Sequence, residues 1–148
     1  MTPPTSSARV LLAEDNSDHA FFTTRAFQEA HPGELQMHTV TDGEQVLAYL
    51  RREGEYADVP RPHLVVLDLR MPKLSGLEVL EEMRHDEDLS RIPVVVLSSS
   101  DRVEDVTESY ARGANSYVTK PTSLSGLREG VGELARYWID IASLPEPA

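Results

Sequence analysis

HLVVLDLRMPKLSGL, residues 63–77, climbs through an apolar run to a single acidic residue, Asp68, then breaks at Met71-Pro72 and restarts at Ser75-Gly76. A short continuous apolar run bounded by turn signals reads as a strand buried on both faces, the pattern of parallel sheets. Its carboxylate then stands at the C-terminal end of that strand, where open α/β sheets bind their ligands.

The flanking sequence repeats the pattern. Ala8–Ala13 (ARVLLA) is a short apolar strand ending at Glu14-Asp15-Asn16, and Phe22, Ala26, Phe27 and Ala30 follow at helical spacing, with Asn16 or Ser17 as the N-cap. His31-Pro32-Gly33 stops that helix. Leu35–Val40 alternates like a half-buried strand, and Asp42-Gly43 leads into a helix with Val46, Leu47 and Leu50 on one face. A polar loop, REGEYADVPRP, longer than the ~2–6 residues usual between helix and strand, delivers the chain to the central run. Beyond Asp68, Leu77, Leu80 and Met83 mark a third helix, and residues 94–97 form an apolar strand ending in Ser98-Ser99-Ser100. A more polar helix carrying Val103, Val106 and Tyr110 ends at Gly113; residues 116–118 form a last strand before Lys120-Pro121. Strand and helix thus alternate five times. Right-handed crossovers then predict a doubly wound α/β fold with a five-stranded parallel sheet, flavodoxin-like in order 2-1-3-4-5. That order is taken from fold preference, and it brings Glu14, Asp15 and Asp68 into one crevice.

Composition narrows the function. The 148 residues suit one domain, and residues 1–7 read as a disordered Pro, Thr and Ser tail ahead of a single unit over 8–148. A formal net charge of −11 argues against a partner bound through a phosphate backbone. With no cysteine, disulfides, thiolate metal sites and thiol nucleophiles are excluded. The N-terminus lacks the apolar core of a signal peptide, and no run reaches the ~20 apolar residues of a membrane span, so a cytoplasmic protein is expected.

Four strand ends carry Glu14-Asp15, Asp68, Ser98 and Lys120. Three crowded carboxylates raise one another's pKa unless a cation joins them, and Mg²⁺ needs only a few carboxylates, a carbonyl and water. Lys120 adds a point charge for a phosphate oxygen and Ser98 a hydroxyl. A metal, a lysine and a hydroxyl around a carboxylate can stabilise a phosphoryl group in transfer, with Asp68 as nucleophile. Each residue alone has a plainer reading: Asp15 or Asn16 as a helix cap, Lys120-Pro121 as a surface turn, Ser98 to Ser100 as a polar loop. Their joint placement at four strand ends favours the functional one. The five histidines, at no ligand spacing, read as structural or surface residues.

This ordered set, Glu14-Asp15, Asp68 followed by MPKLSG, Ser98 after PVVVL, and Lys120-Pro121 after Tyr117, resembles a response-regulator receiver domain across residues 9–134. The resemblance implies that Asp68 is the phosphoacceptor for a sensor histidine kinase. It implies Mg²⁺ held by Asp15, Asp68 and the carbonyl of Arg70, with Glu14 acting through water. It further implies Lys120 on the phosphate, Ser98 moving toward the phosphoryl group, and Tyr117 turning inward behind it. Arg70 and Ser100, two residues past Asp68 and Ser98, are expected to flank the phosphoryl group and set its lifetime.

With no output domain expected, the signal would leave by protein contact. Leu124, Leu127, Val131, Leu134, Trp138 and Ile141 form an apolar stripe on an extended C-terminal helix. Trp138, Ile139 and Ile141 run past the sheet and are expected to make a homodimer or partner face, against the alternative of a tail folded back on its own domain. The long loop before the central strand and this helix resemble the stand-alone receivers that partner bacterial and cyanobacterial phytochrome kinases, so a bacteriophytochrome is the expected kinase. A dehalogenase-type phosphohydrolase also uses a strand-end Asp, Mg²⁺ and Lys, but that class wants a second acid two residues on, where this chain has Arg70. A nucleotide or flavin module would need a glycine-rich phosphate loop after the first strand, which instead ends in two carboxylates.

Overall fold

The computed structural model of the protein describes residues 7–148. Of the expected tail, only Ser7 is among them, its hydroxyl donating to Glu34 Oε2 at 2.7 Å; the rest lies outside the described residues. Five parallel strands, β1 (Ala8–Ala13), β2 (Leu35–Val40), β3 (Leu64–Leu67), β4 (Val94–Ser98) and β5 (Ser116–Thr119), line up in the order β2-β1-β3-β4-β5. Helices α1 (Ser17–Ala30), α2 (Gly43–Arg51), α3 (Gly76–Arg84), α4 (Val103–Ala111) and α5 (Leu124–Ala135) connect and cover them. The doubly wound fold is as the sequence implied, and the strand order is the one expected from fold preference.

The apolar strands are explained by two cores. Leu11, Ala13, Val65, Leu67, Val94 and Val96 face one side, against Val46, Leu47 and Leu50 of α2 and Val79, Leu80 and Met83 of α3. Val10, Leu12, Leu64, Val66, Val95 and Leu97 face the other, against Ala26 and Phe27 of α1 and Leu127, Val131 and Leu134 of α5. Alternate residues serve opposite layers, so every position in β3 must be apolar. Register places Ala13 opposite Leu67 and Leu67 opposite Val96, which brings the ends of β1, β3 and β4 together.

Side-chain caps set where most helices begin. Asn16 caps α1, Asp42 caps α2 and Ser123 caps α5, while Ser75 and Glu78 form a reciprocal capping box on α3. Gly76 answers a close approach: a Cβ there would lie 2.5 Å from the Asp68 carbonyl oxygen and 2.7 Å from Leu69 Cα. The Ser75-Gly76 pair therefore lets α3 start directly against the backbone of the central strand.

Helix α4 turns its apolar residues outward. Val103 and Tyr110 are exposed, and only Ser109 is buried. The small Ser109 side chain, bonded to the Asp105 carbonyl at 2.7 Å, forms the buried point of this helix. After Ala135 the last helix continues into a π-helical segment, Arg136–Ile141, closed by Ala142 N–H donating to Tyr137 O at 2.7 Å. That i→i+5 winding rotates the stripe out of α-helical phase. Trp138 and Ile139 pack, partly buried, on the second core, whereas Tyr137 and Ile141 are exposed. The chain then crosses the N-terminal end of the sheet, with Glu146 beside His63 at 3.4 Å and the Ala148 carbonyl accepting from Arg61.

Candidate functional site

The strand ends converge on Lys120. Its backbone N–H donates to Ser98 O at 2.7 Å, which carries the β4–β5 ladder one residue past β5. Its side chain is almost fully buried, with Nζ donating to Glu14 Oε1 at 2.5 Å, to Asp68 Oδ2 at 3.1 Å and to His19 Nδ1 at 3.1 Å. Asp68 follows β3 directly, its N–H paired with Ala13 O at 3.1 Å and its Oδ1 accepting from Arg70 N–H at 3.2 Å. Glu14 continues β1 by pairing its N–H with Val40 O at 3.0 Å, and its Oε2 accepts from Asn16 N–H at 3.2 Å.

Glu14, Asp15 and Asp68 offer carboxylate oxygens all within 4.8 Å of one another. Glu14 and Asp68 are buried and Asp15 is exposed, so the group opens to solvent along the Asp15 side. Hard anionic oxygens with one open side suit a divalent cation such as Mg²⁺ or Mn²⁺, and the residues present fit one. Burial pushes the Glu14 carboxyl up from its usual range to about 7; the Lys120 hydrogen bond draws it down and the Asp68 charge pushes it up further. Burial, and then the Lys120 charge, holds His19 below the usual imidazole range.

The remaining expected residues lie on two sides of this cluster. Ser98 is fully buried at the end of β4, and its hydroxyl accepts from Ser100 N–H at 3.2 Å. Tyr117 is half-buried against the first core and its hydroxyl donates to Ser100 O at 2.7 Å. Ser100 thus joins Ser98 to Tyr117 through its own backbone. Its hydroxyl donates to Asp105 Oδ2 at 2.5 Å and accepts from Arg102 N–H at 3.3 Å, so it is bound toward α4. Arg70 is exposed at the rim. Trp138, Ile139 and Ile141 belong to the opposite pole, on the segment that leads to the His63 end of β3.

His19 is the residue that the sequence reading missed. Ligand spacing was the wrong signal for it. As the third residue of α1 it follows the β1 end, and helical side chains lean back toward the helix N-terminus. That geometry directs His19 at the strand ends, where it meets Lys120.

Residues 10–131 match the response regulator receiver domain family. The chain belongs to that family. It is similar to FilR2, a probable methanogenesis regulatory protein of Methanothrix harundinacea, with 40% identity over 141 residues, or 94% of this chain and 88% of that protein. It is similar to response regulator Rcp1 of Synechocystis, with 43% identity over 104 residues, 70% of this chain and 71% of Rcp1. The Mn²⁺-bound form of Rcp1 superposes with a TM-score of 0.84 at 37% identity over 93% of this chain and 99% of that one. The phosphorylated cyanobacterial phytochrome response regulator RcpA gives a TM-score of 0.91 at 41% identity over 95% of this chain and 99% of that one. The dehalogenase-type alternative has no support among these findings. Two residues past Asp68 the receiver chain carries an exposed arginine where that chemistry needs an acid. Among the described residues no helix is long and apolar enough to cross a membrane.

Proposed function

We propose that this receiver domain is a phosphoacceptor switch in the cytoplasm, charged by a sensor histidine kinase of the bacteriophytochrome class. The observation that carries this reading is the buried Asp68 carboxylate held 3.1 Å from Lys120 Nζ, beside two further carboxylates. A nucleophilic Asp68 oxygen forms a P–O bond as the P–N bond of the donor phosphohistidine breaks and imidazole leaves with the electron pair. Asp15, Asp68 and the Arg70 carbonyl would hold Mg²⁺, with Glu14 reaching it through water. When bound, the ion neutralises charge on the phosphoryl oxygens. Lys120 meets one of those oxygens, Ser98 turns its hydroxyl to another, and the Ser98–Ser100–Tyr117 connection carries the change to the surface. Arg70 and Ser100 govern how water reaches the acyl phosphate. The protein is no enzyme on a separate substrate; it catalyses its own phosphorylation and dephosphorylation.

The phytochrome partnership is supported by the likeness to RcpA, and the Mg²⁺ site by the Mn²⁺-bound form of Rcp1. Exposed Tyr137 and Ile141 favour a homodimer through the end of the last helix. The net charge of −11 favours output through protein contact over nucleic-acid binding. Incubation with phytochrome kinases and labelled ATP tests the assignment. Label should enter the wild type and not Asp68→Asn, and label retained on Asp68→Asn would remove Asp68 as the acceptor.

A further inference from the structure

We propose that His19 is a positioning residue for Lys120, holding its ammonium at the pocket so that it meets an incoming phosphoryl group. This inference rests on Asp68 being the phosphoacceptor. An ammonium has three N–H bonds and no acceptor capacity. All three of Lys120's have a partner, and one of these, His19 Nδ1 at 3.1 Å, belongs to no part of the carboxylate cluster. Because lysine only donates, Nδ1 is an unprotonated acceptor and Nε2 carries the ring hydrogen.

The three partners differ in what they do when the pocket fills. Glu14 and Asp68 are claimed by a divalent cation as well, and Asp68 also by the phosphoryl group. Each competing claim loosens their hold on Lys120. His19 is neutral and has no such competitor. A neutral acceptor orients the ammonium without neutralising it, so the full positive charge stays available to the phosphoryl oxygens. The anchor behind His19 is firm: its backbone N–H is held by Asn16 Oδ1 at 3.0 Å, and α1 is bound to α5 by the Arg128–Glu29 ion pair at 2.6 Å as well as by the second core.

Phosphoramidate is the probe, because this small donor needs no kinase surface. The Asp68 oxygen forms the P–O bond as the P–N bond breaks and ammonia leaves with the electron pair. His19→Leu keeps bulk and removes the acceptor, while His19→Asn restores an acceptor at a similar reach. At saturating donor, His19→Leu should be phosphorylated about tenfold more slowly and His19→Asn within about twofold of wild type, the scale of one charge-assisted hydrogen bond. Mg²⁺ affinity should be unchanged in both; His19→Leu should lose some Tm because a buried ammonium N–H is left unpaired, and His19→Asn should keep the wild-type Tm. A wild-type rate in His19→Leu, or an Asn variant as slow as the Leu variant, overturns the positioning role. Asp68→Asn run in parallel separates the two claims. Phosphate on that variant overturns the acceptor assignment itself, whereas an inert Asp68→Asn beside a wild-type His19→Leu overturns the inference about His19 alone.

Discussion

Lys120 and Glu14 share a 2.5 Å hydrogen bond between side chains that are 3% and 2% exposed. Burying such a pair costs desolvation that its own attraction only partly recovers. The arrangement makes sense for a site with a second claimant. Lys120 balances carboxylates that a divalent cation can also balance, and a bound cation would leave the ammonium free for another anion.

The stability of the metal-free protein should depend on pH. Glu14 has a folded-state pKa of about 7 against an ordinary 4.5. Between those values the metal-free folded protein holds a proton that the unfolded chain has lost, so stability falls as pH rises through this window. The Glu14 contribution amounts to about 2–3 kcal/mol between pH 4.5 and 7. Urea unfolding of wild type and Glu14→Gln should therefore converge near pH 4.5, with the wild type progressively weaker than the variant toward pH 7. Added Mg²⁺ should reverse the trend in the wild type and release close to one proton per ion near pH 6, measurable by calorimetry in buffers of different ionisation enthalpy.

Arg70→Ala should change the lifetime of the phosphorylated protein while leaving Mg²⁺ affinity intact. The Arg70 side chain is exposed at the rim, and this residue's hydrogen bond to the cluster runs from its backbone N–H to Asp68 Oδ1 at 3.2 Å, which the substitution keeps. A change of about threefold or more in the dephosphorylation rate is expected from altered water access. An unchanged decay of the labelled protein would remove Arg70 from that role.

Gly76→Ala should be costly out of proportion to one methyl group. The added Cβ would meet the Asp68 carbonyl oxygen at 2.5 Å and Leu69 Cα at 2.7 Å, both backbone atoms that no side-chain rotation can move. The loss should be about 1–3 kcal/mol, as in other overpacked cores. Chemical denaturation measures it, and a variant as stable as wild type would mean that α3 can retreat from β3 freely.

What was legible in the sequence divides along physical lines. Strands buried on both faces must be apolar throughout, so β3 and β4 were plain, and the carboxylates and lysine that end the strands were found with them. Strand-end position in a known order suffices to gather Glu14, Asp15, Asp68 and Lys120. His19 was not found because its place depends on the tilt of a side chain in the first turn of α1, which no spacing rule for metal ligands detects. The Ser100–Asp105 bond was hidden for a related reason: it depends on how the β4–α4 loop folds, and Ser98, Ser99 and Ser100 look alike as sequence. α-Helical phase sets Trp138 and Ile141 on one stripe of the last helix, and the π-helical segment separates them.

Asp105→Ala should loosen that loop selectively. The substitution leaves the Ser100 hydroxyl without its 2.5 Å partner while sparing the Ser98 and Tyr117 bonds to the Ser100 backbone. A loss of about 0.5–1.5 kcal/mol is expected for one side-chain hydrogen bond. Faster hydrogen exchange at the Ser100 and Arg102 amides, with unchanged protection in β3, would locate it; uniform exchange across the sheet would contradict a local latch.

The end of the last helix offers a test in which packing and association separate. Trp138 lies against the second core, so Trp138→Ala should lower the stability of the folded chain by about 2–4 kcal/mol, as large-to-small changes at partly buried aromatic sites do. Ile141 is 67% exposed, so Ile141→Asp should leave stability nearly unchanged and act only on association. On the proposed homodimer, sedimentation by analytical ultracentrifugation across a concentration series should show the wild type associating to a dimer and Ile141→Asp remaining a monomer at the same concentrations. Wild-type association in Ile141→Asp would take this helix end out of the interface and leave Trp138 with its packing role alone.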